Sequence, residues 1–557
     1  MTPLRRFAAS PLKGGRTWWP GEAGSTGALA KALPALPLLF LSLMLVAPVL
    51  RLLAEGFSAG AEVRWLAVWT DPYLRWRVLW SLAQAAITCV LALLLGVPCA
   101  WVLARRVFPG RALALRLLML PFVVPTLVAA MGVLALWGPR GLFGAPLAAA
   151  GIDLSETPWL LLYGNLFFNL CLVVRAGVDA LGQVSAQRLA AARTLGATPW
   201  RAFWRIEWPA IAPWLASALC LVFLYCFAGF GLALILGGQR YATAEVEIYT
   251  LVAHELELGQ AGVLAVWTMA LTGAVALAYA GLEQRLAAPA RVTPILPRPP
   301  QGAGQWLGVA GAMGLLALVC AAPLAAIVWR AAAALLTGQG WSVLMEADTL
   351  AALGNTLRFS LVALLLATAL GLAHALSVSA RGHLSLAWRA AAFLPFVVSP
   401  VSVAFGLLLL YPGWSASLAM LLGAYALLAW PFVSKSLTAA LDSLPAHYGQ
   451  AAASLGARPW RVFWRVTLPL VAPALRRGMA FAAATAQGEF AVTLFLSRPE
   501  WSTLTTLIHQ HLGRPGAANL DAAFVLAALL MALALLAFAL IEGPGEGPAP
   551  KDNARHA

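Results

Sequence analysis

The chain has 557 residues, 61% of them hydrophobic and 11% charged, where a soluble domain carries about 25% charge. Its apolar runs are long and continuous, which excludes a soluble enzyme and a β-barrel and leaves an all-α polytopic membrane protein. The net charge of +15 does not call for nucleic acid, because Lys and Arg fall between the apolar runs, where membrane orientation requires them.

Residues 1–32 hold Arg5, Arg6, Lys13, Arg16 and Lys31 and read as a cytosolic tail. The first apolar run begins too late and runs too long for a cleaved signal peptide. Apolar runs follow near 33–53, 79–104, 117–137, 158–174, 210–236 and 261–282. A Pro-rich stretch at 284–305 reads as a linker. Six more runs lie near 306–329, 357–379, 388–411, 415–434, 471–496 and 520–541, and a Gly/Pro-rich tail at 543–557 reads as disordered. Each run approaches the ~20 residues that a helix needs to cross hydrocarbon. Lys and Arg concentrate in the N-terminal tail and after the second, fourth, sixth, eighth and tenth runs; Arg51, Arg64, Arg75 and Arg77 after the first run dissent. The positive-inside rule then sets both termini in the cytosol, with twelve transmembrane helices. Cysteines 89, 99, 171, 220, 226 and 320 sit inside apolar runs with no CxxC pair, so no metal or disulfide framework is expected.

One stretch occurs twice. Ala190 to Arg205 includes Gly196-Ala197-Thr198-Pro199-Trp200-Arg201 and Phe203-Trp204-Arg205, and runs on to Pro209 and Pro213. Gln450 to Arg465 includes Gly456-Ala457-Arg458-Pro459-Trp460-Arg461 and Phe463-Trp464-Arg465, and runs on to Pro469 and Pro473. The offset is constant: 456 − 196 = 260 and 469 − 209 = 260. Leu120-Pro121-Phe122-Val123-Val124-Pro125 is echoed by Leu394-Pro395-Phe396-Val397-Val398-Ser399-Pro400, and Arg175 by Lys435. Six runs separate the copies, so the two six-helix repeats are parallel, related by an axis along the membrane normal with a pathway between them. In each copy a short helix is expected to stop at the glycine and a second to start at the proline. Trp200, Phe203 and Trp204 then share one face, Arg201 and Arg205 another. An interfacial helix lying on lipid would have the same pattern. Two copies in register favour a partner with two-fold symmetry.

The pattern resembles the EAA loop of type I, MetI-like ABC-transporter permeases: Glu-Ala-Ala, three residues, Gly, then a downstream Leu-Pro. Ala191, Ala192 and Gly196 match it, as do Ala451, Ala452, Gly456 and Leu468-Pro469. Ala190 and Gln450 stand where the pattern has Glu, and Trp208-Pro209 replaces Leu-Pro in the first copy. The resemblance implies permease domains at 77–283 and 354–542, with extra helices at 33–53 and 306–330. It implies a multi-pass protein of the bacterial inner (cytoplasmic) membrane whose repeated loops couple to a separate ATPase dimer, and a periplasmic binding protein that delivers a small molecule. No GxxxxGK[ST] is present, so the chain is expected to be no enzyme and to bind no cofactor, with ATP and Mg on the partner. Among fused double-length permeases, Phe230 to Gly238 and Thr243 to Tyr249 resemble the thiamine/thiamine pyrophosphate permeases more closely than the ferric-iron ones.

Inside the apolar runs Glu489 is the clear ionisable candidate. It is expected either to line the pathway, where it would suit a cationic thiazolium substrate, or to serve a structural hydrogen bond. Asn165 and Asn169, one turn apart, are expected to glue helices or to contact substrate. His374 reads as a packed polar residue. The acidic connector with Glu245, Glu247, Glu255 and Glu257 reads as external, either solvated or meeting a delivery protein. An ion-driven secondary transporter would need several intramembrane carboxylates in relay, and an integral membrane enzyme a polar cluster at one face; neither pattern is present.

Overall fold

The structure is a computed structural model that describes residues 34–59, 65–286, 293, 295–379, 388–389, 391–392, 394–414, 417–445 and 447–542. The tails expected at 1–32 and 543–557, and part of the linker expected at 284–305, lie outside them. Every regular element among the described residues is a helix. The first half runs α1 (Ala35–Ser58), α2 (Pro72–Arg105), α3 (Arg111–Val123), α4 (Thr126–Trp137), α5 (Trp159–Leu181), α6 (Ala186–Thr194), α7 (Pro199–Phe227), α8 (Gly231–Leu236), α9 (Ala244–Thr250) and α10 (Leu258–Leu282). The second half runs α11 (Ala303–Leu336), α12 (Ala347–Val378), α13 (Leu394–Val397), α14 (Pro400–Leu410), α15 (Leu418–Ser443), α16 (His447–Ser454), α17 (459–487), α18 (Ala491–Leu496), α19 (Leu504–Gly513) and α20 (Ala517–Glu542).

Among the described residues nine helices are long and apolar enough to cross a membrane, or ten when α3 and α4 are taken as one bent span. The two remaining apolar runs do not qualify as single helices. The run at 388–411 falls into the short α13 and α14, and the run at 471–496 lies in α17, which carries Arg476 and Arg477, and in α18.

Four runs expected to be continuous are broken. The bend between α3 and α4 is 107°. Pro125 lacks an N–H to continue the ladder, and Val124 before it is extended at ψ 134°. Ser399, extended at ψ 152°, makes the matching break before α14. The α7–α8 break lies at residues 228–230 and the α17–α18 break at 488–490, again 260 apart. Elsewhere the helices run further than the apolar signal. The helices holding Arg175 and Lys435 continue to Leu181 and Ser443 rather than ending at those charges.

Close approaches recur in both halves and fix the packing. A Cβ on Gly96 would lie 2.9 Å from a Val173 methyl, and one on Gly371 would lie 2.7 Å from a Val433 methyl. The first helix of each half crosses to the other half: a Cβ on Gly132 in α4 would lie 2.8 Å from the Pro323 carbonyl of α11, and one on Gly406 in α14 would lie 2.7 Å from the Pro48 carbonyl of α1. Polar ties repeat as well. Ser81 Oγ accepts the Ala244 N–H at 2.8 Å, and Thr356 Oγ1 accepts the Leu504 N–H at 2.9 Å.

Candidate functional site

Two features survive the duplication: a pair of exposed turns, one in each half, and a cavity where the four breaks meet. Ser185 caps α6, its Oγ accepting the Arg188 N–H at 3.3 Å. The helix closes when the Gly196 N–H reaches the Arg193 carbonyl and the Ala197 N–H reaches the Ala192 carbonyl, each at 3.0 Å. Gly196 sits at φ +79° and Gly456 at φ +80°, a left-handed conformation that costs an L side chain roughly 1–2 kcal/mol. Thr198 Oγ1 then caps α7 by accepting the Arg201 N–H at 3.4 Å, with Pro199 at the first helical position.

The helix that begins at Pro199 is not short, as expected from the sequence, but continues to Phe227. A widened π turn at Phe203–Glu207, matched by Phe463–Thr467, precedes Pro209 and Pro469. A proline ring clashes with the carbonyl four residues back; here that residue is Arg205 or Arg465, inside the widened turn.

Trp200, Trp204, Trp460 and Trp464 are 70%, 44%, 59% and 54% exposed. Phe203 and Phe463 are half-buried and pack edge-on to Trp204 and Trp464, so the expected three-residue aromatic face is a two-tryptophan face. Arg201, Arg205, Arg461 and Arg465 are exposed beside it. Ala191 and Ala451 accept the N–H of Leu195 and Leu455. Those leucines are 87% and 88% exposed at the turn tips. The sequence reading missed them, although their register was visible.

The second feature is a cavity of about 280 Å³ between the halves. Its wall is made at the breaks by Pro125 and Pro400, Phe122 and Phe396, Phe230 and Phe490, and Gly229 and Glu489. Phe230 and Phe490 stack at 6.0 Å across the junction. At one end Phe122 meets Phe432 and Phe481 of the other half at 6.4 and 5.9 Å, and Tyr225 meets Phe396 at 6.2 Å. Glu489 Oε1 accepts the Val492 N–H at 3.0 Å, and its backbone carbonyl accepts the hydroxyls of Thr493 and Thr505.

Asn165 and Asn169 are both glue and wall. Asn165 Nδ2 donates to Gln84 Oε1 at 2.6 Å, and Gln84 Nε2 donates to the Cys226 carbonyl at 2.8 Å. That carbonyl lies in the last turn of α7, where the break removes its helical donor. Asn169 Nδ2 donates to the Asn165 carbonyl and to Cys226 Sγ, while its buried Oδ1 accepts no hydrogen bond from the described residues.

The family model described as "Binding-protein-dependent transport system inner membrane component" matches residues 92–288 and 367–542. The chain belongs to this family. Each matched segment of the transport component holds one exposed turn and one pair of breaks, and leaves out the crossing helices α1 and α11. Over 536 residues it is 26% identical to the thiamine transport system permease protein ThiP of Escherichia coli (strain K12), spanning 94% of this chain and 96% of that protein. It is 27% identical to the ThiP protein of Haemophilus influenzae, over 88% of this chain and 92% of that one. A solved structure described as a bacterial ABC transporter involved in the import of the acidic polysaccharide alginate covers 47% of this chain and 97% of its own, at a TM-score of 0.40 and 16% identity.

Three polar groups of this component lie elsewhere. His374 is held away from the cavity wall by Ser434 Oγ at 2.6 Å and the Trp388 carbonyl at 2.9 Å. Glu245 and Glu247 correct the expectation of an exposed acidic connector, since they are 1% and 3% exposed. Glu245 accepts the Ser399 hydroxyl at 2.6 Å, across the two halves. Glu247 meets Arg77 Nε at 3.1 Å and the Tyr73 hydroxyl at 2.9 Å. Burial pushes its carboxyl up, and Tyr73 and Arg77 pull it back. Only Glu255 and Glu257 of the four are exposed.

Proposed function

We propose that the chain is the membrane-spanning permease subunit of an ATP-driven importer, and that its cargo is thiamine or thiamine pyrophosphate delivered by a periplasmic binding protein. The observation that carries the reading is the pair of exposed Trp-Arg turns, repeated in register in the two halves of a duplicated chain. Trp and Arg are the residues most enriched at binding hot spots, and a two-fold surface suits a two-fold motor. In this reading the turn end is cytosolic, as are both termini, and twelve segments cross the membrane. ATP and Mg belong to a separate ATPase dimer. Closure of that dimer draws the turns together and rocks the halves, provided that the ATP state favours one arrangement by a few kcal/mol.

The cavity supports the cargo assignment. Its aromatic rings suit a flat heteroaromatic cation, and Glu489 lies in the same wall. A ferric ion prefers several hard oxygen donors, and here the one carboxylate of the wall is already engaged by an amide. Pull-down from purified components tests the first half of the proposal: the chain should capture an ATPase in a 1:2 ratio and stimulate its hydrolysis. Uptake of labelled thiamine against labelled ferric ion in liposomes tests the second. Uptake that stops with an uncoupler but survives ATP depletion would defeat the first half, and uptake of ferric ion without thiamine would defeat the second.

A further inference from the structure

Behind the first turn the segment is pinned at both ends, and no matching set of ties is found behind the second among the described residues. Arg105, the last residue of α2, pairs with Glu207 at the end of the widened turn. The distance is 2.9 Å, and the side chains are 9% and 7% exposed. Trp101 Nε1 donates to the second oxygen of Glu207 at 3.3 Å. A further tie comes from the linker. The Arg298 N–H donates to the Arg105 carbonyl, and the Val107 N–H donates to the Arg298 carbonyl, both at 3.0 Å. Nearer the first half, the Ala186 N–H at the start of α6 donates to the Thr293 carbonyl at 3.0 Å. Ile295, between these ties, packs against the core of the first half. The end of α2, linker residues 293 and 295–298, the start of α6 and the start of α7 are therefore tied to one another.

The second half carries different residues. The register that matches Gly96 with Gly371 sets Leu376 and Ala380 against Trp101 and Arg105, and the 260 offset sets Thr467 against Glu207. No ion pair can form from that set. A buried ion pair holds its partners at one geometry, because separating them leaves uncompensated charge in a poorly solvated site. The first turn is thus tied to α2 by charge, and the matching positions of the second half carry no charge with which to do the same.

We propose that Arg105, Glu207 and linker residues Thr293 and 295–298 form a transmission strut, so that the two turns are mechanically unequal and the stroke passes chiefly through the first. This rests on reading the turns as the ATPase docking sites. Arg105 and Glu207 are positioning residues that act through α7.

The test uses the full chain in liposomes with its ATPase and binding protein, and reads substrate moved per ATP hydrolysed. One variant is Arg105→Ala with Glu207→Thr, which removes both charges together and copies the second half. Another is Arg298→Pro, which removes the N–H given to Arg105. Both should melt within a few degrees of the parent, bind the ATPase as it does, and move about tenfold less substrate per ATP, within the usual range of an interdomain coupling. The exchange Arg105→Glu with Glu207→Arg restores a pair and should recover most of the ratio. An unchanged ratio in a folded variant overturns the strut. So does loss of ATPase binding by a folded variant, since the strut lies behind the docking surface, and so does a charge exchange that couples no better than the Ala/Thr variant. A parent chain that captures no ATPase is a different result, and defeats the proposed function instead.

Discussion

A carboxylate in hydrocarbon is tolerated where something replaces its water, and at Glu489 that is the Val492 amide, 3.0 Å away at the start of α18. The expected structural bond is present, at a side chain that also lines the cavity. Glu489→Gln keeps an acceptor for Val492 and should change stability by no more than ~1 kcal/mol, the size of a helix cap. It removes the charge, so uptake of a cationic substrate should fall about tenfold, equivalent to ~1.4 kcal/mol. Liposome uptake beside a melting curve separates the two roles; unchanged uptake would leave Glu489 as a cap alone. The turn glycines differ in kind. A Cβ on Gly196 or Gly456 would meet nothing within 4 Å, so only the positive φ requires glycine. Gly456→Ala should weaken ATPase capture through a turn strained by ~1–2 kcal/mol, and Gly456→Asn by less, because Asn enters the left-handed region more readily. Titration of the ATPase against each variant reads that order.

Among elements, the crossed helices are the seam most sensitive to added volume. At Gly132 a Cβ would meet a backbone carbonyl at 2.8 Å, which cannot swing aside as a side chain can. Gly132→Ala and its counterpart Gly406→Ala should each cost ~1–3 kcal/mol, and a larger Val more. Gly273→Ala in α10, where a Cβ meets nothing within 4 Å, should be neutral or stabilising by up to ~1 kcal/mol. Melting of the purified variants in one detergent gives the comparison. The spans themselves were legible in the sequence, because an apolar run of this length has one stable outcome in hydrocarbon. The duplication was legible too, since 260 residues separate every element from Pro199 to Leu236 from its copy. The breaks were not. Val124-Pro125 and Gly488-Glu489 lie inside runs that read as continuous, and what allows a break is the group that satisfies the freed carbonyl. For Cys226 that group is Gln84, 142 residues away. Glu245 and Glu247 read as solvated for the same reason, with partners 154 and 170 residues distant. Local pattern reports the face that a residue prefers, not the partner that lets it stay on another.

At the scale of the whole molecule, both turns proposed as docking sites sit on one chain, and this changes the arithmetic of binding. Once one turn is seated, the second meets its cleft at an effective concentration set by a nearly rigid spacer, so the pair binds ~10²–10⁴-fold tighter than either alone. The exposed tryptophans are the side chains best suited to carry each contact, with hot-spot truncations costing ≥2 kcal/mol. Trp200→Ala with Trp204→Ala should therefore do more than halve capture. It should remove the avidity term and weaken ATPase binding by ~10²-fold or more, while the cavity, formed by other residues, still accepts substrate. Adding Trp460→Ala and Trp464→Ala should then remove what remains, by a smaller factor, because no cooperative term is left to lose. Surface binding with the parent, the double variant and the quadruple variant side by side measures both steps. Equal factors at each step would mean that the turns bind independently. In that case the parallel duplication would serve the pathway alone, and a common motor would not be needed to explain why two Trp-Arg turns share one register.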